Sequence, residues 1–397
     1  MRVRVSLEGR RSKSNSNVRF VLTPFDDYPI HQAPRPIATQ VTSDRNAYGR
    51  YWLGAGHRNG DFHIELAFGR YPNLRVVDGH LSIVKNGRQS SFHASGEAPL
   101  DPTDTRVGPF RLEVVKPLQE LRFIVEPNET GMACDITYRA RTGALLEDHT
   151  VMIDGPMVQV DMARFLQFGS WEGTVEVDGD TTVLKHDEVF GIRDRSWGVR
   201  PVGTQPAGRP ISRTPMAWLW APIHFDDDCR VVGWFELPGG TKWRADGHVL
   251  PVTDPVPLSV GMGDPGVSRI DPDQIHFEFQ HGTRWAKTIA IDVQPEGGEA
   301  YTMELEPLLR FDMLGIGYQN PKWAHGVWHG VSEIGREDWN MDDVSPQDPA
   351  HQHVHHLVRA HIRDTAGQIK QGVGIFEQII FGPHTQWGFT DILDGAK

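Results

Sequence analysis

Short runs in which apolar and polar residues alternate recur along the whole chain, and no other feature of the sequence constrains the fold as strongly. Successive side chains of an extended strand point to opposite faces, so this alternation is typical of half-buried β-strands. Glycine, proline, asparagine and aspartate separate the runs. The clearest strand candidates are Phe62–Phe68, Leu121–Pro127, Cys134–Arg139, Gly173–Val177, Arg230–Leu237, Ile275–Phe279 and Ala300–Leu305.

Tight-turn dipeptides indicate that these strands run antiparallel. Such turns need residues that tolerate a positive φ, as glycine, asparagine and aspartate do. We predict turns at Asn86-Gly87, Asp178-Gly179, Gly239-Gly240, Asp246-Gly247 and Gly297-Gly298. Only Gly155–Phe168 and Glu333–Met341 favour helix, and we expect them to form short caps over barrel mouths. The sequence therefore predicts an all-β protein with few short helices.

Chain length predicts two domains, because 397 residues exceed the roughly 250–300 over which one hydrophobic core grows. A segment rich in proline and glycine at 201–215 is the best linker candidate. We predict one β-barrel over 15–200, a linker over 201–215 and a second β-barrel over 216–397.

The formal net charge of −12 argues against a nucleic-acid partner, because phosphate binding needs a concentrated Lys/Arg surface. The basic residues between Arg2 and Lys13 are expected to form a frayed tail. No window holds the about 20 consecutive apolar residues of a transmembrane helix, and residues 1–20 lack a signal-peptide pattern. We predict a cytoplasmic protein without membrane insertion, with Cys134 and Cys229 reduced; no feature indicates an oligomeric state.

The densest group of charged residues lies in the string Val189–Arg200. In a strand, Arg193 and Trp197 share one face, whereas Asp194 and Arg200 share the other. If that second face lines a cavity, Asp194 is a candidate acid or base. Alternatively, Asp194 and the arginines form an ion-pair network that closes a barrel or joins the two domains, with Trp197 in the core.

The segment Asp312–Gly330 combines glycines and aromatic residues with His325 and His329. Its Gly-x-Gly pair is not followed by the helix-opening pattern of a dinucleotide fold, which argues against a phosphate-binding loop. We interpret three of its aromatic residues as the wall of a pocket: Tyr318, Trp323 and Trp328.

Histidines repeat with period two in the segment His351–His361, so His351, His353 and His355 share one face of a strand. This pattern resembles a metal site, but three histidines of one strand supply only part of the three or four converging ligands that Zn²⁺ needs. The other interpretations are a polar barrel interior and a single histidine that transfers a proton. We predict no metal and no cofactor.

Tryptophan occurs 12 times, and these side chains fill a core or line a ligand cavity equally well. We assign Trp218 and Trp220 to a substrate-binding wall. Eight copies lie in the predicted second domain: Trp218, Trp220, Trp234, Trp243, Trp285, Trp323, Trp328 and Trp387.

From Trp171-Glu-Gly-Thr-Val175 through Gly191-Ile-Arg-Asp-Arg-Ser-Trp-Gly198, the chain resembles the two-domain lipocalin-like family of carotenoid 1,2-hydratase (hydroxyneurosporene synthase) and the AttH-like proteins. Gly315-Ile-Gly-Tyr318, Trp323-Ala-His-Gly326 and the segment Gly374–Phe389 resemble its uncharacterised bacterial branch. The resemblance covers most of the chain and depends on few residues. It implies two lipocalin-like (calycin-type) antiparallel barrels packed side by side, with a pocket near their interface. It also implies water addition to isoprenoid double bonds or guided pericyclic ring closure.

Asp194 and Trp197 match the family's Asp-His-x-Trp-Gly string, but Arg195 stands at the position of its histidine. A guanidinium stays protonated and cannot shuttle protons. If the family's chemistry uses that histidine, this protein either relies on another histidine or catalyses a different reaction.

The sequence lacks a nucleophile elbow, a P-loop, an H-E-x-x-H motif and kinase motifs, which argues against a hydrolase, an NTPase, a zinc protease and a kinase. Three hypotheses for the function remain. The favoured one is a cofactor-independent lyase, hydratase or isomerase that uses acid/base chemistry on an alkene of a hydrophobic, terpenoid- or steroid-like small molecule. The others are a carrier of such a molecule and a pericyclase.

In the favoured hypothesis Asp194 is the acid, and His325, His329 or His353 is the partner base. We expect the substrate to be bound by Arg193, Trp197, Arg200, Trp218, Trp220, Tyr318, Trp323, Trp328 and His355.

Overall fold

The structure, a computed structural model, describes residues 22–30, 36–204, 215–237, 240–363 and 367–397. Over these residues the chain is all-β, as predicted, and forms two barrel-like units that pack side by side. The helical residues described form four short 3-10 helices, none long and apolar enough to cross a membrane. They are Pro24–Asp27, Met313–Ile316, Pro349–His351 and Thr385–Trp387.

The first unit is a curved antiparallel sheet whose two ends approach each other without closing. Its strands are β1 (Ala47–His57), β2 (Phe62–Tyr71), β3 (Val76–Lys85), β4 (Arg88–Glu97), β5 (Arg106–Val107), β6 (Phe110–Lys116), β7 (Glu120–Val125), β8 (Met132–Ala140), β9 (Ala144–Leu146), β10 (Thr150–Asp154), β11 (Met157–Val177), β12 (Asp180–Leu184) and β13 (Val189–Val199). Its main path runs in the order β4-β3-β2-β1-β13-β11-β8-β7-β6-β5.

The second unit is a closed eight-stranded antiparallel barrel. The strands after β13 are β14 (Met216–His224), β15 (Asp228–Leu237), β16 (Thr241–Pro251), β17 (Ser259–Val260), β18 (Ser268–Phe279), β19 (Ala286–Pro295), β20 (Tyr301–Asp312), β21 (Ser332–Asn340), β22 (His353–Arg363) and β23 (Ile369–Phe381). The barrel order is β14-β15-β16-β18-β19-β20-β22-β23, an up-and-down arrangement of the kind found in lipocalins.

Two strands from the second half of the chain join the first sheet. β21 pairs antiparallel with β4 and covers the edge of that sheet. β17 pairs in parallel with β9. The prediction of a helix over Glu333–Met341 is therefore wrong, because an open sheet edge offers this segment a row of backbone hydrogen bonds along its whole length.

The helix predicted over Gly155–Phe168 is also wrong. Gly155, with φ +57°, turns the chain from β10 into β11, and the two strands form a hairpin. β11 then pairs with β13 over Asp161–Ser170. Pairing of the backbone with neighbouring strands outweighs the helix-like spacing: Phe165 and Phe168 are buried in the strand, whereas Met157 is exposed.

Most predicted strands and turns are confirmed. The turns at Asn86-Gly87 and Asp178-Gly179 place both residues at positive φ, and Gly297-Gly298 connects β19 to β20. Asp246-Gly247 lies inside β16 instead, where Gly247 allows the carbonyl of Val231 to approach closely. Gly239, the basic residues of the N-terminus and residues 205–214 of the predicted linker lie outside the described residues.

Among the described residues, buried apolar side chains form five clusters, of which the three largest make up most of the core. One lies within the first sheet and one within the barrel. The third contains residues of both, among them Trp52 and Phe190 from the first unit and Trp220, Leu357 and Ile375 from the second. The two units therefore share a continuous apolar interface.

Candidate functional site

A cavity of about 390 Å³ lies between the two units. This volume falls near the lower end of the roughly 300–1,000 Å³ typical of small-molecule sites. Strands β1, β10, β11 and β13 supply one side of its wall, and β14, β15, β16, β22 and β23 supply the other. Neither unit alone encloses this space.

The wall is mainly aromatic and sulfur-containing. The indoles of Trp52 and Trp220 meet edge to face, with ring centroids 5.7 Å apart. The aromatic and methionine side chains that line the cavity are Trp52, Trp218, Trp220, Phe235, Trp243, Tyr318, Met152, Met162, Met216 and Met313. Such a wall favours an apolar ligand and presents ring faces to any positive charge that forms in it.

Asp194 faces this cavity from β13. The alternation of the strand places Ser196 and Arg200 on the same side, while Arg193 and Arg195 are buried on the other. Burial raises the pKa of the Asp194 carboxyl to about 6; the charge of Arg164 acts against this rise, and the charges of Glu147 and Glu377 add to it. The carboxyl therefore exchanges its proton close to neutral pH.

His353, His355 and Glu377 line another part of the wall, and His355 connects them to the fully buried Glu65 in a network of histidines and carboxylates. His353 Nε2 lies 2.7 Å from Glu377 Oε1, and His355 Nε2 lies 3.7 Å from the same oxygen. On its other side, His355 Nδ1 lies 2.5 Å from Oε1 of Glu65. Glu65 also accepts a hydrogen bond from Trp52 Nε1 at 2.8 Å and contacts His63 Nε2 at 2.8 Å.

The charged residues of this network come from both units: Glu65 lies in the first unit, and His355 and Glu377 lie in the barrel. Burial alone would raise the pKa of Glu65, but His355 and His63 outweigh it and lower the pKa to about 2. Burial alone would lower the pKa of His355, but Glu65 and Glu377 raise it to about 9. For Glu377, likewise, contacts with His353 and His355 outweigh burial and hold the pKa well below its usual range. Two ionised carboxylates thus enclose one imidazolium.

The arginines of the wall differ in their partners. Arg164 contacts Glu147 at 2.5 Å and lies 3.9 Å from Asp194 Oδ2, and Arg244 also contacts Glu147, at 3.3 Å. Arg200 has no carboxylate within ion-pair distance in the part of the chain that is described. Its guanidinium lies 5.9 Å from the centroid of the Tyr318 ring.

Seven of the predicted site residues meet at this cavity: Asp194, Arg200, Trp218, Trp220, Tyr318, His353 and His355. Two others from the same string do not reach it. Arg193 is buried against Asp27 and Gln167, with Nη1 2.7 Å from Asp27 Oδ1. Trp197 packs against Phe165 on that opposite face. These two match the other interpretation of the string, in which its residues hold the structure together.

The remaining predicted residues lie in the loop between Met313–Ile316 and β21. His325 packs edge-on against the Tyr318 ring, 4.8 Å between centroids, and so lies behind the cavity wall. Trp323 is buried in a stack on His93, 5.4 Å away, and His329 packs on Trp323. Trp328 is 51% exposed and lies outside the cavity lining.

Sequence reasoning missed Glu65, Glu377 and Trp52. Glu65 sits in an alternating strand where a polar residue indicates a solvent-facing position, yet it is fully buried because the barrel packs on that face. Glu377 comes opposite His355 only through the pairing of β22 with β23. The period-two histidines were the available signal, since they marked the strand whose neighbour carries the carboxylate.

Three groups of side chains each bring ligand atoms within 4.8 Å of one another, close enough to hold a metal ion. They are His63, Glu65 and His355; Asp78, His80 and His325; and His353, His355 and Glu377. Only the third group lines the cavity with all of its members.

The model of a family of unknown function, DUF8625, matches residues 22–390. No curated protein matches the chain. Kievitone hydratase from Nectria haematococca aligns with 14% identity over 84% of this chain and 89% of that one, with a TM-score of 0.49. A putative AttH from Nitrosomonas europaea aligns with 13% identity over 85% and 93%, with a TM-score of 0.49. CghA aligns with 9% identity over 86% and 90%, with a TM-score of 0.44. At these values the three likenesses carry no argument about function, which rests on the site.

Proposed function

This chain belongs to the DUF8625 family of unknown function, and we propose that it is a lyase, hydratase or isomerase that applies acid/base chemistry to an alkene of a hydrophobic, terpenoid- or steroid-like small molecule. The observation that carries the proposal is the placement of Asp194 in an aromatic cavity, facing the same space as Glu377 and His353.

The first step is protonation of the alkene. Protonated Asp194 donates its proton to one carbon of the double bond, and the other carbon becomes a carbocation. The ring faces of the wall and the ionised Glu377 stabilise that positive charge in a site with little competing water.

The second step removes the positive charge and a proton. In a hydratase, water adds to the cation and Glu377 or His353 accepts the proton that the water loses. In an isomerase, the same group accepts a proton from a neighbouring carbon, and the double bond moves. The hydratase reaction run in reverse is the elimination of water that a lyase catalyses. Arg164, 3.9 Å from Asp194 Oδ2, places a positive charge beside the carboxyl, and Arg200 is available to orient a polar group of the substrate.

The test is native mass spectrometry with organic extraction of the purified protein, performed on the wild type, on Asp194→Asn and on a control, Asp135→Asn. Asp135 is an exposed carboxylate on β8 that pairs with Arg122. We expect a hydrophobic molecule in all three, with the unconverted form accumulating only in Asp194→Asn. Identical molecules in all three preparations would contradict catalysis by Asp194 and favour the carrier.

A further inference from the structure

We propose that His353, His355 and Glu377 bind a divalent first-row metal ion of the Zn²⁺ class at the wall of the cavity. The site itself follows from geometry; only its role in catalysis rests on the proposed function. The period-two histidines alone lack a converging third ligand, and the structure supplies one from a neighbouring strand.

The ligands come from two paired strands. The register of β22 and β23 sets His355 opposite Glu377, and His353 lies two residues before His355 on the same face. One ligand atom from each residue lies within 4.8 Å of the others. His351, the remaining histidine of the repeat, is instead engaged by Asp312 at 2.8 Å.

This set has the composition of a catalytic zinc site. Two histidines and one carboxylate with an open fourth position are an established ligand set for catalytic zinc. All three residues line the cavity, so an open coordination position would be reached from that space. Nε2 of His353 and Oε1 of Glu377 are 2.7 Å apart, and must part to about 3.4 Å for ligand atoms about 2.1 Å from a tetrahedral ion.

The contacts around His355 orient its ring for an ion, which would take the place of the proton on Nε2. Its Nδ1 is held by Glu65 at 2.5 Å, which leaves Nε2 to point toward Glu377 and the cavity. Nε2 is buried and has no hydrogen-bond partner among the described residues. Glu65 is fixed in turn by Trp52 and His63. A carboxylate that holds the far nitrogen of a ligating histidine is the usual support of such a ligand.

Charge also favours this group over that of Asp78, His80 and His325. The buried Glu65 and the half-buried Glu377 place two carboxylates beside the ligand nitrogens. Arg164, an arginine of the wall, is already paired with Glu147. By contrast, the group of Asp78, His80 and His325 lies in the field of the buried Arg50, which opposes a second cation.

An ion at this position would bind a water molecule and lower its pKa. It would thereby supply the controlled water that a hydratase needs within an apolar cavity. With the ion bound, Glu377 and the two histidines would serve as its ligands, and the bound water would lose its proton to solvent before it adds, so that neither Glu377 nor His353 would then be needed as the base.

The site is tested on the full-length protein, stripped with a chelator and then titrated with Zn²⁺, and separately with Co²⁺ for its visible absorption. We expect one ion per chain by elemental analysis, a tetrahedral or five-coordinate Co²⁺ spectrum, and a higher thermal unfolding temperature with Zn²⁺. His353→Ala, His355→Ala and Glu377→Gln should each weaken binding at least 100-fold. Glu65→Gln should weaken it roughly 10- to 100-fold, as loss of a supporting carboxylate does.

Two matched control variants separate Zn²⁺ binding at this site from nonspecific Zn²⁺ binding elsewhere on the protein. His361→Ala and Glu306→Gln alter residues of β22 and β20 outside the cavity lining, and should bind Zn²⁺ as the wild type does. The proposal is overturned if the wild type binds less than about one-tenth of an ion per chain with no thermal shift, or if folded Glu377→Gln binds normally.

The variant Asp194→Asn distinguishes this proposal from the proposed function, because the variant should still bind the metal ion but no longer convert the substrate. A metal-free protein in which Asp194→Asn still accumulates substrate refutes the metal and retains acid/base catalysis. Metal binding with conversion unchanged in Asp194→Asn retains the metal and refutes the acid.

Discussion

At the scale of single residues, the Asp194 carboxyl sets the pH dependence of the proposed reaction. Its pKa is raised to about 6, first by burial, so the protonated form that donates a proton predominates below that pH. We expect kcat/KM to fall about tenfold per pH unit above pH 6 for the wild type. Steady-state rates with the extracted substrate measure this profile. A rate that instead rises through pH 6 would make Asp194 a base.

Residues on one strand could be assigned from sequence, but residues brought together by packing could not. Alternation along β13 correctly separates Asp194 and Arg200 from Arg193, because it depends only on strand geometry. Glu65 and Glu377 belong to the same site, yet their place in it depends on the contact between two units and on a pairing of distant strands. The local periodicity of the sequence reveals neither the contact between the units nor the pairing of the distant strands.

At the scale of elements, β1 is one of the strands on which the two units meet. Gly54 and Gly56 leave room there for side chains of the barrel and of β13. A Cβ on Gly56 would lie 2.3 Å from the Phe190 ring and 2.6 Å from Leu357 Cδ1. Glycine at this position therefore permits the close approach that encloses the cavity.

Gly56→Ala should consequently destabilise the protein by about 1–3 kcal/mol, the usual cost of overfilling a packed core. The matched control is Gly49→Ala on the same strand, whose Cβ would meet only the guanidinium of Arg195, at 3.4–3.8 Å. Urea unfolding of the three proteins measures both effects. Equal midpoints for Gly56→Ala and Gly49→Ala would contradict the assigned packing at β1.

The two mistaken helix predictions have one cause at this scale. Both segments carry apolar residues at spacings that suit a helix, and both become strands through partners far away in sequence: β11 pairs with β13 and β8, and β21 pairs with β4. A tertiary partner that satisfies every backbone group outweighs a weak local preference. Strands with a strict alternation, such as β2, were predicted correctly because pattern and pairing agree there.

At the scale of the whole molecule, the units depend on each other. β21 covers the edge of the first sheet, the third apolar cluster contains residues of both units, and the cavity needs both walls. The sequence predicted two barrels from chain length and strand pattern. It did not reveal how they interlock, since the two strands that join the first sheet from the second half, β17 and β21, carry no distinctive signal.

This interdependence predicts a single unfolding transition, although chains of this length commonly unfold domain by domain. Leu81→Ala in the first core and Ile289→Ala in the barrel core each remove a buried side chain and should cost about 2–5 kcal/mol. Each should shift one and the same transition, followed both by tryptophan fluorescence and by far-UV circular dichroism. If Leu81→Ala moved only one of two resolved transitions and Ile289→Ala only the other, the units would be energetically separate. Since the cavity keeps its shape only while both walls are folded, one shared transition also means that any ligand held there stabilises both units together.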